Sequence, residues 1–373
     1  MSSSQLRWGI VGCGIISGVF ARDLVYLNKN PRGANKIKHV ITRVASRSPA
    51  KGQEFIEKNI DEYYDDVYGT KVVSYEDIQI DPEVDILYIG LPHTLHHSFV
   101  IEAITRGKKH ILCEKPVTVN SKQLELILDA ARENNVFFME AVWVRYFPLI
   151  REVQKILYED KKVGDVKRIF SDLSVDMKRL HGDDWVPSNR VADKKLGGGA
   201  LLDITIYPIT YSRIFMDPQS DPKSNWKIVS SMVFESLNGK QEDEVDFCTS
   251  FIISDQTHKQ QATGISSFSS DVSDGLIAKI DGELGSISIY SGGIGPAPIK
   301  YHIKLKNGQE IEKSFEDDLD GTLGYIYEAI ECGEMIVAGE KQSSIMSWNE
   351  SQLIMSILDD IRKQNSLSYE VDL

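Results

Sequence analysis

Three side chains are of types that could move a proton together: a lysine, a carboxylate and a phenol. Lys115 lies in Cys113-Glu114-Lys115-Pro116, and Asp203 and Tyr207 stand four residues apart in the run Gly197-Gly198-Gly199-Ala200-Leu201-Leu202-Asp203-Ile204-Thr205-Ile206-Tyr207. That run reads as a glycine-rich turn opening a helix, which puts Asp203 and Tyr207 on one helix face. A carboxylate beside a phenol can orient it, and a nearby cation such as Lys115 can lower the phenol's pKa until it exchanges a proton with a substrate hydroxyl. Each group also has a plainer reading: Lys115 as half of a surface ion pair, Asp203 as a helix-start acid, and Tyr207 as a packed core ring.

A second constellation opens the chain. Gly12-Cys13-Gly14-Ile15-Ile16-Ser17 follows an apolar run and precedes a helical pattern towards Leu27. This is a G-x-G-x-x-S variant of the dinucleotide fingerprint: Gly12 for the tight turn, Gly14 for close approach of the pyrophosphate, and small Ser17 for helix-on-strand packing. The next apolar run ends in Ser46-Arg47, 34 residues after Gly12, with the polar insert Asn28 to Lys38 taking up the excess over the usual spacing of about 20. A hydroxyl and a guanidinium there suit a ribose 2'-phosphate, where a carboxylate would repel it, so NADP is expected over NAD. The alternative for Arg47 is a solvated loop cation.

His93, His96 and His97 crowd the end of another apolar run, after Pro92. No carboxylate or thiol completes a metal set, so no metal is expected. Trp143, Arg145 and Tyr146 suit the wall of a sugar or aromatic diol site, and equally suit packing between domains.

These groups need a scaffold. The first third alternates short apolar runs (Leu6 to Val11, Val40 to Ala45, Lys71 to Val73, Val84 to Ile89, His110 to Cys113, Val136 to Met139) with helical spacings such as Leu95 to Arg106 and Ser121 to Asn134. That grammar predicts an α/β Rossmann domain with a doubly wound parallel sheet, Ser121 capping its helix. After about Val142 comes a helix at Pro148 to Tyr158. Alternating strands then follow, such as Arg168 to Val175, Val245 to Ile253 and Gly285 to Tyr290, with Ile287 and Ile289 on one face. Helices at Tyr325 to Val337 and Glu350 to Gln364 close the chain. Two domains are expected, 1–141 binding the cofactor and 142–373 carrying substrate and sheet, with one ligand cleft between them.

Composition narrows the partners. A formal charge of -13 argues against nucleic acid, and no apolar run is long enough to span a bilayer. The polar start Met1 to Gln5 has no signal-peptide pattern. Four scattered cysteines imply reduced thiols, so a cytoplasmic protein is expected.

Taken together, the G-x-G-x-x-S turn, Glu114-Lys115-Pro116 and the Gly197 to Tyr207 block resemble the glucose-fructose oxidoreductase/inositol dehydrogenase (Gfo/Idh/MocA) family, over nearly the whole chain. Glu140-Ala141-Val142-Trp143-Val144-Arg145-Tyr146-Phe147-Pro148 and Trp348-Asn349-Glu350-Ser351 are similar to two of its branches, the dimeric dihydrodiol dehydrogenases and the fungal NADP-dependent D-xylose dehydrogenases. The resemblance implies a Rossmann domain followed by an open, mostly antiparallel sheet, and a homodimer formed through the sheet's outer face. It implies catalytic roles for Lys115, Asp203 and Tyr207, and cofactor contacts at Pro92, His96 and Glu114, with His96 matching the histidine of the family's P-x-x-x-H segment. Thr205 departs from a glycine common in that stretch, and Lys108-Lys109 adds a residue before the Glu114 strand. The expected activity is hydride exchange between NADP and a sugar or cyclic diol. A dicarbonyl or ketose reductase and a non-catalytic dinucleotide sensor stand as alternatives.

Overall fold

A computed structural model describes the chain except residues 1–4, 35, 62–68, 183–189, 221–224, 237–242, 294, 320 and 373. The chain divides into two compact units, Met1–Trp143 with Gly321–Gln352, and Val144–Asp320 with Leu353–Leu373.

In the first unit, strands and helices alternate: β1 Gln5–Val11, α1 Ile15–Lys29, β2 Lys38–Ala45, α2 Pro49–Asn59, β3 Lys71–Val73, α3 Tyr75–Ile80, β4 Ile86–Ile89, α4 His93–Gly107, β5 His110–Glu114, α5 Ser121–Asn134 and β6 Phe138–Ala141. The sheet order is β3-β2-β1-β4-β5-β6, every pair parallel, which is the doubly wound dinucleotide-binding order. Strands covered on both faces need unbroken apolar sequence, and all four residues of β4 are fully buried. Helix α5 is capped by Asn120, whose side chain accepts from the Gln123 amide at 2.9 Å, and not by Ser121 as expected. An Asx carbonyl accepts such a bond as well as a hydroxyl does, so the residue one earlier took the cap.

The segment Gly321–Gln352 returns to this unit. Asp23 of α1 accepts from the Leu323 amide at 3.2 Å and the Tyr325 amide at 2.9 Å, and the helix Ile326–Ala338 begins there. Glu334 on that helix holds the insert after α1 through the Ala34 amide, at 2.6 Å. Edge strand β6 is closed by its own unit: Phe138 donates to the Lys341 carbonyl at 3.0 Å and accepts from the Trp348 indole at 3.0 Å.

The second unit holds α6 Pro148–Tyr158, β7 Val166–Asp172, α7 Met177–His181, α8 Ile206–Phe215, β8 Trp226–Glu235, β9 Val245–Asp255, β10 Gln260–Ser267, β11 Leu276–Gly282, β12 Gly285–Ser291, β13 Pro298–Leu305 and β14 Glu310–Ser314. Its eight strands run β14-β13-β12-β11-β7-β10-β9-β8, antiparallel except for β10 beside β7. Register aligns Ile228, Ile253, Ala262, Ile169, Ile280, Ile287, Ile303 and Ile311 in one row across all eight strands. Period-two alternation turns that row to one face, and α8 packs against β7 and β10. Ile289 is fully buried with Ile287, as the alternation required.

The buried Asp23 gives a pH test. Burial outweighs its backbone hydrogen bonds and raises its carboxyl from 3.8 to about 6. A pKa raised on folding adds stability that is complete below the unfolded value and is lost as pH climbs through the folded one. Relative to Asp23→Asn, which cannot titrate, the wild type should lose about 2 to 3 kcal/mol of unfolding free energy between pH 4 and pH 7. Urea denaturation of both proteins at the two pH values reads the difference. A constant gap would contradict this account of Asp23.

Candidate active site

The turn from β1 into α1 is built by glycines at different tasks. Gly12 has a φ of +93°, and a Cβ there would come within 2.8 Å of the Gly90 carbonyl oxygen. A Cβ at Gly90 would come within 2.2 Å of Ser17 Oγ, so helix α1 rests on the end of β4 at a distance only a glycine and a small residue allow. Gly14 has ordinary extended dihedrals and nothing within 4 Å of where its Cβ would stand. It is the N-cap of α1, with no side-chain capping bond and no acid in the first turn, whereas α2, α3 and α5 are capped by Ser48, Ser74 and Asn120. Open backbone amides, a helix dipole and no competing acid fit a dinucleotide pyrophosphate. Ser17 Oγ is buried with no protein partner among the described residues.

At the end of β2, the Ser46 amide donates to the Val73 carbonyl at 3.3 Å and its hydroxyl accepts from the Ser48 amide at 3.3 Å. Arg47 is exposed. Tyr75, at the start of α3, is its neighbour: burial raises the phenol's pKa and the Arg47 charge draws it back. Sequence reasoning missed Tyr75, since nothing in the local pattern ties α3 to the end of β2.

The Lys115 loop is pinned on three sides within the first unit. Glu114 accepts from the Tyr88 phenol at 2.6 Å and from the Lys115 amide at 3.2 Å. The Pro116 carbonyl lies 3.1 Å from His96 Nδ1, whose Nε2 lies 2.8 Å from the Leu91 carbonyl. The Val117 amide donates to Glu140 at 3.0 Å. The Lys115-Pro116 peptide is cis, and the lysine side chain is half-buried. Tyr88 in turn stacks on Phe20 of α1, ring centroids 3.9 Å apart. Tyr88 thus links the helix that opens on the glycine turn, by ring stacking, to the strand that ends in Glu114, by its hydrogen bond. Pro92 caps α4 without a side-chain bond, as Gly14 does α1. His96 is fully buried, and among the described residues no group of three or more His, Cys, Asp or Glu could hold a metal.

Trp143 stacks on Tyr325 within the first unit, with centroids 4.3 Å apart. Arg145 and Tyr146 begin the second unit and are buried.

The Asp203–Tyr207 stretch is not a simple α-helical start. Leu201–Thr205 is a π turn, and α8 follows at Ile206. The buried Thr205 hydroxyl donates to the Ala200 carbonyl five residues back, at 3.1 Å, and so helps hold the wide turn. Asp203 accepts from Arg190 at 2.8 Å, and Tyr207 is buried. Arg190 was not anticipated, because thirteen residues separate the pair and no pattern links them.

Comparison with known proteins agrees with this architecture. Residues 6–142 match the family model described as an oxidoreductase family with an NAD-binding Rossmann fold. The D-xylose 1-dehydrogenase (NADP(+)) of Hypocrea jecorina is 30% identical over 98% of this chain and 93% of its own. The trans-1,2-dihydrobenzene-1,2-diol dehydrogenase of Danio rerio is 32% identical over 98% of this chain and 99% of its own. The chain belongs to the Gfo/Idh/MocA oxidoreductases. A 3-ketoreductase from Actinomadura kijaniata, solved with NADP and TDP-benzene, has the same fold: TM-score 0.77 at 21% identity, covering 97% of this chain and 98% of that one. This oxidoreductase therefore carries an NAD(P)-binding Rossmann unit and a second unit of mixed sheet.

The two glycines of its turn should respond oppositely to substitution. Gly14→Val meets open space in the free protein, so the melting temperature should stay within about 2 °C while NADPH affinity falls about tenfold or more. Gly12→Val faces a backbone carbonyl at positive φ and should destabilise the protein itself. Fluorescence titration with NADPH and thermal melts check both, and a Gly14→Val protein that binds NADPH normally would rule out pyrophosphate at this turn.

Proposed function

We propose that this oxidoreductase uses NADP to oxidise a CH–OH group of a sugar or cyclic diol. D-xylose oxidised at its anomeric carbon to the lactone is the first candidate, and a trans-dihydrodiol oxidised at a ring carbinol towards a catechol is the second. The observation that carries the reading is similarity along 98% of the chain to two enzymes named for those substrates, in a protein that keeps both the anion-ready turn and the lysine, aspartate and tyrosine.

Gly12, Gly14 and Ser17 would hold the pyrophosphate. Ser46 and Arg47 would take the 2'-phosphate, which favours NADP over NAD. Pro92, His96 and Glu114 would contribute to holding the cofactor. When bound, NADP+ supplies the two-electron acceptor. Catalytic roles are proposed for Lys115, for Asp203 and for Tyr207, whose Oη would take the hydroxyl proton and return it in the reverse direction. Trp143, Arg145 and Tyr146 shape the substrate side.

We also propose a homodimer. Val229, Ile252, Thr263 and Phe170 are register neighbours across β8, β9, β10 and β7 on the face opposite the isoleucine row. Val229, Ile252 and Phe170 are 54%, 41% and 38% exposed, an apolar strip that a second copy would cover. Sedimentation should report a dimer that Val229→Glu weakens, and a monomeric wild type would refute it. Four free thiols support a reducing, cytoplasmic setting, which a fluorescent fusion would report.

Initial rates of NADP reduction with D-xylose, D-glucose and a trans-dihydrodiol, repeated with NAD, test the activity. Saturable turnover with NADP is expected, and Lys115→Met or Tyr207→Phe should cut kcat by about 100-fold or more without loss of NADPH binding. Turnover only with NADPH and a dicarbonyl or ketose would reverse the direction assigned. Binding of NADPH with no turnover on any of these would make the protein a dinucleotide sensor.

A further inference from the structure

We propose that Asp246 is the positioning residue for the segment that bears Asp203 and Tyr207, a role that rests on the catalytic reading of those two residues. Strand β9 pairs Phe234 with Asp246 and Val233 with Cys248, which leaves Phe247 as the extra residue of a β-bulge. A bulge shifts the alternation by one, so Asp246 joins Thr249 on the buried face in place of Phe247. There Asp246 Oδ2 accepts from the Leu201 amide at 2.6 Å and from the Thr249 hydroxyl at 2.6 Å. Leu201 is the first residue of the π turn, whose start has no capping bond from its own side chains.

The other carboxylate oxygen has no partner among the described residues, and a Cβ on Gly199 would come within 2.1 Å of it. Only glycine therefore permits Asp246 to reach the turn. The residues just before are held as firmly: the Gly198 and Gly199 amides donate to the Asp193 and Val191 carbonyls, and the Tyr369 phenol donates to the Gly198 carbonyl at 2.8 Å. Burial raises the Asp246 carboxyl to about 7 against the opposing hydrogen bonds from Thr249 and Leu201. Such a cost suits a group kept for where it points.

The test compares Asp246→Ala, Asp246→Asn and Thr249→Val with Ile287→Ala, a cavity in the same unit remote in sequence from the turn. The expected result is a kcat about tenfold lower in Asp246→Ala, a smaller loss in Thr249→Val, and near-normal kcat in Asp246→Asn, whose amide oxygen still accepts from Leu201. NADPH affinity should hold in all of them. Equal kcat loss in Ile287→Ala, or undiminished kcat in Asp246→Ala, overturns the proposal. Hydrogen exchange reads the same contact without turnover: the Leu201 amide should exchange at least about tenfold faster in Asp246→Ala than in Ile287→Ala, and equal rates also overturn it. A wild type without turnover would sink the catalytic reading while the exchange arm still decides whether Asp246 holds the turn.

Discussion

The first unit depends on how closely backbone can approach backbone at the carboxyl ends of β1 and β4. The Gly90 amide donates to the Val11 carbonyl at 2.9 Å and the Gly12 amide to the Ala45 carbonyl at 3.2 Å, which ties the ends of three strands together. Side chains at Gly12 or Gly90 would break that contact, and a larger residue than Ser17 would lift α1 off the sheet. Once α1 is seated, Phe20 falls onto Tyr88 and the Tyr88 phenol reaches Glu114. The position of the Lys115 loop is therefore partly set by the same packing that leaves the first-turn amides of α1 open.

The second unit solves a different problem, that of presenting a short segment from a wide sheet. The isoleucine row gives the sheet one face on which helices can pack. A regular β9 would aim Phe247 inward. The bulge spends one ladder register to aim a carboxylate there instead, and that carboxylate meets the π turn's first amide. Bulge and π turn are both one-residue departures from regular structure, and they meet at the same hydrogen bond.

Much of this was legible in sequence because it rests on period and on glycine. The six parallel strands read as short apolar runs, the strand around Ile287 and Ile289 read as alternation, and the fingerprint glycines stand where open space and positive φ require them. What escaped depends on contacts between distant segments. Asn120 displaced Ser121 as a cap because both residues can accept, and only geometry chooses. The π turn looks like any helix start, since Thr205 reveals its bond to Ala200 only when folded. Asp246 sits in a strand pattern that gives no sign of a bulge. The return of Gly321–Gln352 to the first unit follows from Asp23 accepting amides some three hundred residues away.

Both units place a buried aspartate against main-chain amides: Asp23 on Leu323 and Tyr325, Asp246 on Leu201. A serine or asparagine could accept one such bond at a lower desolvation cost. Asp23 receives two amides on its two oxygens, which a single neutral oxygen would satisfy less fully, whereas Asp246 receives an amide and a hydroxyl on one. The raised pKa of both groups records the expense. Because the donors include backbone amides, these acids fix where the chain runs: one fixes the start of the helix Ile326–Ala338, whose fully buried Glu328 has its pKa raised by burial and by the charges of Glu114 and Asp23, and the other fixes the turn before Tyr207. A device that sets main-chain position costs stability without touching any ligand, which is why it leaves no motif in the sequence.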